Sequence, residues 1–67
     1  MSKYIITYNG LDNNNTVIVS SQIALDIDVS AITAAGFLEL LNTDALSHAV
    51  GLNNNVSRIA IVRVLGL

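Results

Sequence analysis

The run Arg58-Ile59-Ala60-Ile61-Val62-Arg63-Val64-Leu65 restricts the fold more than any other stretch of this chain. β-Branched residues dominate it, and side chains of an extended strand alternate between faces. Ile59, Ile61 and Leu65 are therefore expected on one face, and Ala60, Val62 and Val64 on the other. A strand apolar on both faces belongs in the middle of a structure, covered twice. The chain has 67 residues, and a domain of that size buries only about 60% of the surface its unfolded chain exposes. It can supply helix for one side of a sheet, so the other side is expected to meet a second copy of the protein. Ile59, Ile61, Val62, Val64 and Leu65 are the expected interface.

Composition points the same way. Hydrophobic residues make up 52% of the chain and charged residues 12%, so apolar side chains stay exposed unless subunits associate. Staples of the usual kinds are missing from the sequence. It has no cysteine and a single histidine, His48, which rules out disulfides and leaves too little for a zinc centre. No metal and no cofactor is expected. Arg63, Gly36 and Glu39 interrupt the apolar runs well short of the roughly 18 to 20 residues that span a bilayer, so no membrane partner is expected. Met-Ser-Lys-Tyr lacks the pattern of a secretion signal, and a cytoplasmic location is the expectation. The formal net charge is -2, with Lys3, Arg58 and Arg63 as the cations, which argues against a nucleic-acid partner. A basic patch would require symmetry to multiply Arg58 or Arg63 around an oligomer axis.

Along the chain, Lys3–Tyr8 reads as a first strand with Tyr4, Ile6 and Tyr8 on one face. Asn9-Gly10 is a turn dipeptide, Leu11–Asn15 extends it, and Thr16–Ser20 reads as the return strand. Ile23, Leu25, Ile27 and Val29 then alternate with Ala24, Asp26, Asp28 and Ser30, which predicts a third strand with one wet face. Its aspartates place it towards a sheet edge, since charges there block unwanted pairing. Ser30 is a suitable cap for a helix over Ala31–Leu41, and Ala45–Val50 predicts a short second helix closed by Gly51 in a left-handed conformation. One helix running through Asn42 is the competing reading. Together these elements predict an α+β domain, residues 1–67. Its small antiparallel sheet, in the order β-β-β-α-(α)-β, carries helix on one face and an oligomer interface on the other.

The candidate sites are modest. Asp26 and Asp28 would lie roughly 7 Å apart on one strand face, too few ligands for a hard cation. Asp44 and His48 are neighbours on a helix face, but no motif places a nucleophile beside them, and complementing the two helix ends accounts for the pair more simply. No catalytic residues are expected, and the chain reads as a non-enzyme. Gly36 inside a helical pattern suggests close approach of another backbone. Arg58 and Arg63 sit on a mostly apolar strand and require water, a carboxylate or an anion. Asn13, Asn14, Asn53, Asn54 and Tyr8 would supply uncharged hydrogen bonds and stacking to an anionic, nucleotide-like ligand there. The leading expectation is a self-associating binding or assembly module whose partner is itself or another protein. The alternative is a small-molecule binder that holds such an anion at a subunit interface.

Overall fold

A computed structural model of residues 1–67 contains five elements. These are β1 (Ser2–Leu11), β2 (Val17–Ile27), a 3-10 turn (Val29–Ala31), α1 (Ala34–Leu52) and β3 (Arg58–Gly66). The strands form one antiparallel sheet in the order β2-β1-β3, and α1 packs on one face. The α+β class and the antiparallel sheet are as the sequence predicts, but the strand bounds differ and the sheet has three strands where four were expected.

The first reason lies at Asn9-Gly10, which is not a turn. β1 continues through it to Leu11, with Gly10 paired to Val19 on one side and Ile59 on the other. Glycine is needed there for space. A Cβ on Gly10 would lie 3.0 Å from Val56 Cγ2 and 3.2 Å from Val19 Cβ. The chain reverses beyond it, where Asp12 Oδ1 accepts the N–H groups of Asn14 at 2.9 Å and Thr16 at 3.0 Å and Asn15 adopts a φ of 63°. Asparagine tolerates that left-handed conformation better than most residues.

The second reason is the triplet Ser20-Ser21-Gln22, which reads as a break and is instead the middle of β2. Its polar side chains find polar partners across the ladder: Ser20 Oγ donates to Asn9 Oδ1 at 2.8 Å and Gln22 Nε2 to Thr7 Oγ1 at 3.2 Å. The alternation predicted for Ile23 to Ser30 holds only as far as Ile27, with Ile23 and Leu25 half-buried, Ile27 buried, and Ala24 and Asp26 exposed. Beyond it Asp28 caps the 3-10 turn and Val29 is exposed within that turn. β2 is an edge strand, as its aspartates implied.

The helix is continuous from Ala34 to Leu52, so the two-helix prediction gives way to the single helix. Thr33 rather than Ser30 caps it, accepting the Gly36 N–H at 3.0 Å, and Asp28 caps the preceding 3-10 turn through Ser30. Gly51 lies inside the last turn, no glycine has a positive φ, and Asn53 ends the helix. Gly36 gives room to the helix entry and not to another backbone: an added Cβ would meet Ile32 Cγ1 at 3.1 Å and Thr33 Oγ1 at 3.2 Å.

The core has two centres. Ile6, Ile27 and Leu41 form one, bordered by Phe37, which packs edge-on against Tyr4 with ring centroids 5.4 Å apart. Tyr8, Ala45, Ala49 and Val56 form the other, where two alanines one helical turn apart let the helix come close over the tyrosine. β3 is not the central strand. It lies at an edge, and β1 holds the centre. Its pairing with β1 shifts between Thr7 and Tyr8, so that Val62 is the extra residue of a bulge. The bulge reverses the alternation beyond it. Val64 comes to the helix side with Ile59 and Ile61, while Leu65 joins Arg58, Ala60 and Arg63 on the open face, contrary to strict alternation.

Truncating Leu41, which is 2% exposed, to alanine should lower stability by about 2 to 5 kcal/mol. Leu38→Ala on the same helix, at a residue 54% exposed, should change it by no more than about 0.5 kcal/mol. Urea melts followed by circular dichroism compare the two.

Candidate functional site

Three places carry the residues singled out from the sequence. The first is the end of the sheet where the two asparagine-rich loops meet. Asp12, Asn13, Asn14, Asn53 and Asn55 wall one groove together with Ile18. Asn54 is exposed in the second loop but is not part of the wall. The Arg58 guanidinium donates to the Asn15 side chain, which ties the base of β3 to the first loop. Both loops use their polar groups internally: Asp12 holds Asn14 and Thr16, and Asn53 Oδ1 accepts the Asn55 N–H at 3.0 Å. These are turn motifs that close on themselves. The groove also contains the Asp12 carboxylate, whose charge opposes an anion.

Arg63 is elsewhere. It pairs with Thr7, whereas Arg58 pairs with Leu11, a separation of roughly 13 Å along the strand. Both arginines lie on the open face, which no helix covers. Arg58 and the asparagine loops are thus brought together, and Arg63 is not among them.

The second place is the outer edge of β3. Of the expected interface residues, Ile59 and Ile61 are half-buried beneath α1, whereas Val62, Val64 and Leu65 are 58%, 39% and 42% exposed. Around the helix, Asp44, Ser47 and His48 stand beside Gln22, Ile23 and Leu25 on the β2 side. At 100° per residue, the opposite flank of α1 carries Leu46 and Val50 together with Glu39, Asn42 and Thr43, and both Leu46 and Val50 are exposed. Exposed aliphatic side chains therefore occur on the helix flank turned away from β2 and on the β3 edge, interspersed with Glu39, Arg58 and Arg63. The other edge, β2, differs: Ser20, Gln22, Ala24 and Asp26 are its exposed residues through the middle and far end.

The third place is beneath the helix, at Tyr8. This residue is 0% exposed and so is not part of the loop surface with Asn13, Asn14 and Asn53. Its hydroxyl lies 2.6 Å from His48 Nδ1, forty residues along the chain, and the two rings meet edge to face with centroids 5.9 Å apart. The Tyr8 hydroxyl and His48 Nδ1 thus satisfy each other. Ser21 is the directly paired neighbour of Tyr8 on β2. Burial raises the Tyr8 pKa above its ordinary value of 10.0, and Ser21 partly offsets that rise. His48 therefore serves as the partner of a buried tyrosine, and its Nδ1 meets Tyr8 rather than Asp44. Sequence spacing pointed to Asp44 because it is four residues away, and only the fold brings Tyr8 there.

No helix is long and apolar enough to cross a membrane. Comparison with protein-family models, with curated proteins and with solved structures found no match to this chain.

Tyr8→Phe should cost about 1 kcal/mol at neutral pH, the net worth of the hydroxyl's bond. A tyrosine whose pKa is raised by folding contributes stability that is complete below the unfolded value near 10.0 and is lost as pH rises through the higher folded value. The wild type should therefore lose stability above pH 10.0 faster than Tyr8→Phe does. Denaturant melts on both sides of that pH measure the difference.

Proposed function

We propose that this chain is a non-enzymatic assembly module, a small α+β subunit that works by associating with itself and presenting the assembled surface to a partner. One observation carries the reading: β3 occupies a sheet edge and yet leaves Val62, Val64 and Leu65 58%, 39% and 42% exposed there, with Arg58 and Arg63 as its only charges. An uncovered strand edge carrying apolar side chains is a template for pairing, and soluble proteins normally blunt or cover it. Low charge supports the same reading, because 12% charged residues offer few devices for keeping such an edge apart in solution. A non-enzymatic role agrees with the state of the polar groups, since His48 and Tyr8 satisfy each other and the loop carboxylate and carboxamides close local turns.

Native mass spectrometry and sedimentation at micromolar concentration should find a homo-oligomer, and a folded monomer throughout that range would overturn the proposal. The rival reading, a small anion held by Arg58, Arg63 and the asparagine loops, is supported by the convergence of Arg58 with both loops. Asp12 in the groove and the distance to Arg63 oppose it. Thermal melts in millimolar phosphate or nucleotide decide the matter. The assembly reading expects no shift, whereas a bound anion at a hundredfold excess over its Kd adds about 2.7 kcal/mol.

A further inference from the structure

We infer that two copies of this chain join through β3, antiparallel about a two-fold axis that passes between Ile61 and Val62. The result is one continuous six-stranded sheet, β2-β1-β3-β3-β1-β2, with both helices on the same face. The inference rests on the self-association proposed above and names the surface and register that carry it.

The two sheet edges are unequal, and that chooses the strand. β2 presents Ser20, Gln22 and Asp26, residues that discourage another strand. β3 presents Val62, Val64 and Leu65 in addition to Arg58 and Arg63, and Leu46 and Val50 are exposed on the helix flank turned away from β2. The size fits a second copy. β3 has 9 residues and α1 has 19, each about 30 Å long, a strip long enough for a contact on the scale of the roughly 800 Å² per partner of a standard interface. A closed two-fold contact uses the same patch on both subunits and leaves no free β3 edge to propagate into a fibre.

The bulge and the arginines then select the register. Residues opposite one another on paired strands must share a face. The open face holds Arg58, Ala60, Arg63 and Leu65, and the helix face holds Ile59, Ile61, Val64 and Gly66, because Val62 is the bulged residue. An axis through Val62 itself would oppose Ala60 to Val64, which lie on different faces. An axis between Val62 and Arg63 matches faces but sets the two Arg63 side chains one residue apart on the same surface. A shift the other way, with the axis between Ala60 and Ile61, places Arg58 directly opposite Arg63, a like-charge pair that destabilises a ladder. Between Ile61 and Val62 the faces match and no arginine opposes another. Arg58 meets the partner's Leu65, Ile59 meets the partner's Val64, Ala60 meets the partner's Arg63, and the two bulges face each other at the axis. Axes through Ala60 or Val64 also match faces but pair only residues 58–62 or 62–66, whereas this register pairs residues 58–65. Arg63 and the bulge thus leave one register that engages nearly the whole edge.

Val62→Lys tests the edge, and because Val62 is 58% exposed the variant should keep its circular dichroism spectrum. The expected result is a wild-type dimer, a Val62→Lys monomer and an Ala24→Lys dimer in sedimentation, since Ala24 lies on the β2 edge. A second measurement fixes the register whatever happens to the lysine variant. The chain has no cysteine, so Ala60→Cys and Arg63→Cys proteins can be mixed and oxidised. Directly opposite residues lie about 5 Å apart between Cα atoms, within disulfide reach, whereas the two copies of residue 60 would be roughly 11 Å apart. Mixed disulfides should exceed Ala60→Cys homodimers at least fivefold. A wild-type monomer overturns both this inference and the assembly reading. A wild-type oligomer that Val62→Lys leaves intact, or disulfides formed in statistical proportion, overturns the β3 pairing alone and assigns self-association to another surface.

Discussion

One helix resting on the middle strand of three is the constraint from which the rest of this subunit follows. Outer strands of a three-stranded sheet lie nearly 10 Å apart, about the diameter of a helix with its side chains. α1 therefore covers β1 fully and each edge only in part. Ile6 and Tyr8 on β1 are 0% exposed, while no residue of β3 is buried. The close seat depends on small residues at the contact, with Ala45 and Ala49 over Tyr8 and Gly10 beneath Val56. A larger residue at any of these positions would lift the helix and open the core of a molecule in which 8 of 67 residues are buried.

That seat also explains why a strand rich in aliphatic residues stands at an edge. Position in the sheet follows connection and pairing. β1 and β2 are joined by a five-residue turn and pair directly, so the strand that returns after the helix takes whichever side of β1 is free. Once there, Ile59, Ile61 and Val64 reach the helix side, and the rest of the strand has nothing above it. The hydrophobicity of β3 exceeds what the isolated subunit uses. That surplus is the surface the proposed self-association would cover.

Much of this architecture was legible in the residues, because periodicity reports which face is wet. The faces of β1, the alternation of Ile23 to Ile27 and the edge position implied by Asp26 all follow from side-chain character alone. Local signals misled where pairing across the sheet overrode them. Asn9-Gly10 is a turn dipeptide by propensity, but Gly10 is needed as a gap for Val56, and no local rule can register a residue forty-six positions away. Ser20-Ser21-Gln22 reads as a break until Asn9, Tyr8 and Thr7 are seen opposite it as partners. The bulge at Val62 has no sequence marker at all, since any residue of a β-branched run serves, and with it went the facing of Val64 and Leu65. The candidate site divides in the same way. Convergence of the two asparagine loops follows once the strands are paired, and the arginine beside them comes with the strand end. The Tyr8–His48 bond was hidden because it joins the first strand to the helix, and neither residue has a neighbour in sequence that points to the other.

The same division separates what folds the subunit from what would join subunits. Core residues Ile6, Tyr8, Leu41, Ala45 and Ala49 lie under the helix, and the apolar residues of the β3 edge make little use of them. Assembly through that edge would add backbone hydrogen bonds and aliphatic contacts to a fold already formed, so its contribution would enter by mass action and grow with concentration. Small chains without disulfides or metals need such a reserve, because a core of this size leaves stability near the margin. An edge that is too sticky would instead pair with any strand available and lead to aggregation. Arg58, Arg63 and the Val62 bulge fit that requirement: each penalises a flat, misregistered or heterologous partner, and none obstructs a strand of the same sequence running the opposite way. Specific self-recognition in so short a chain can thus rest on the position of a single extra residue in one strand.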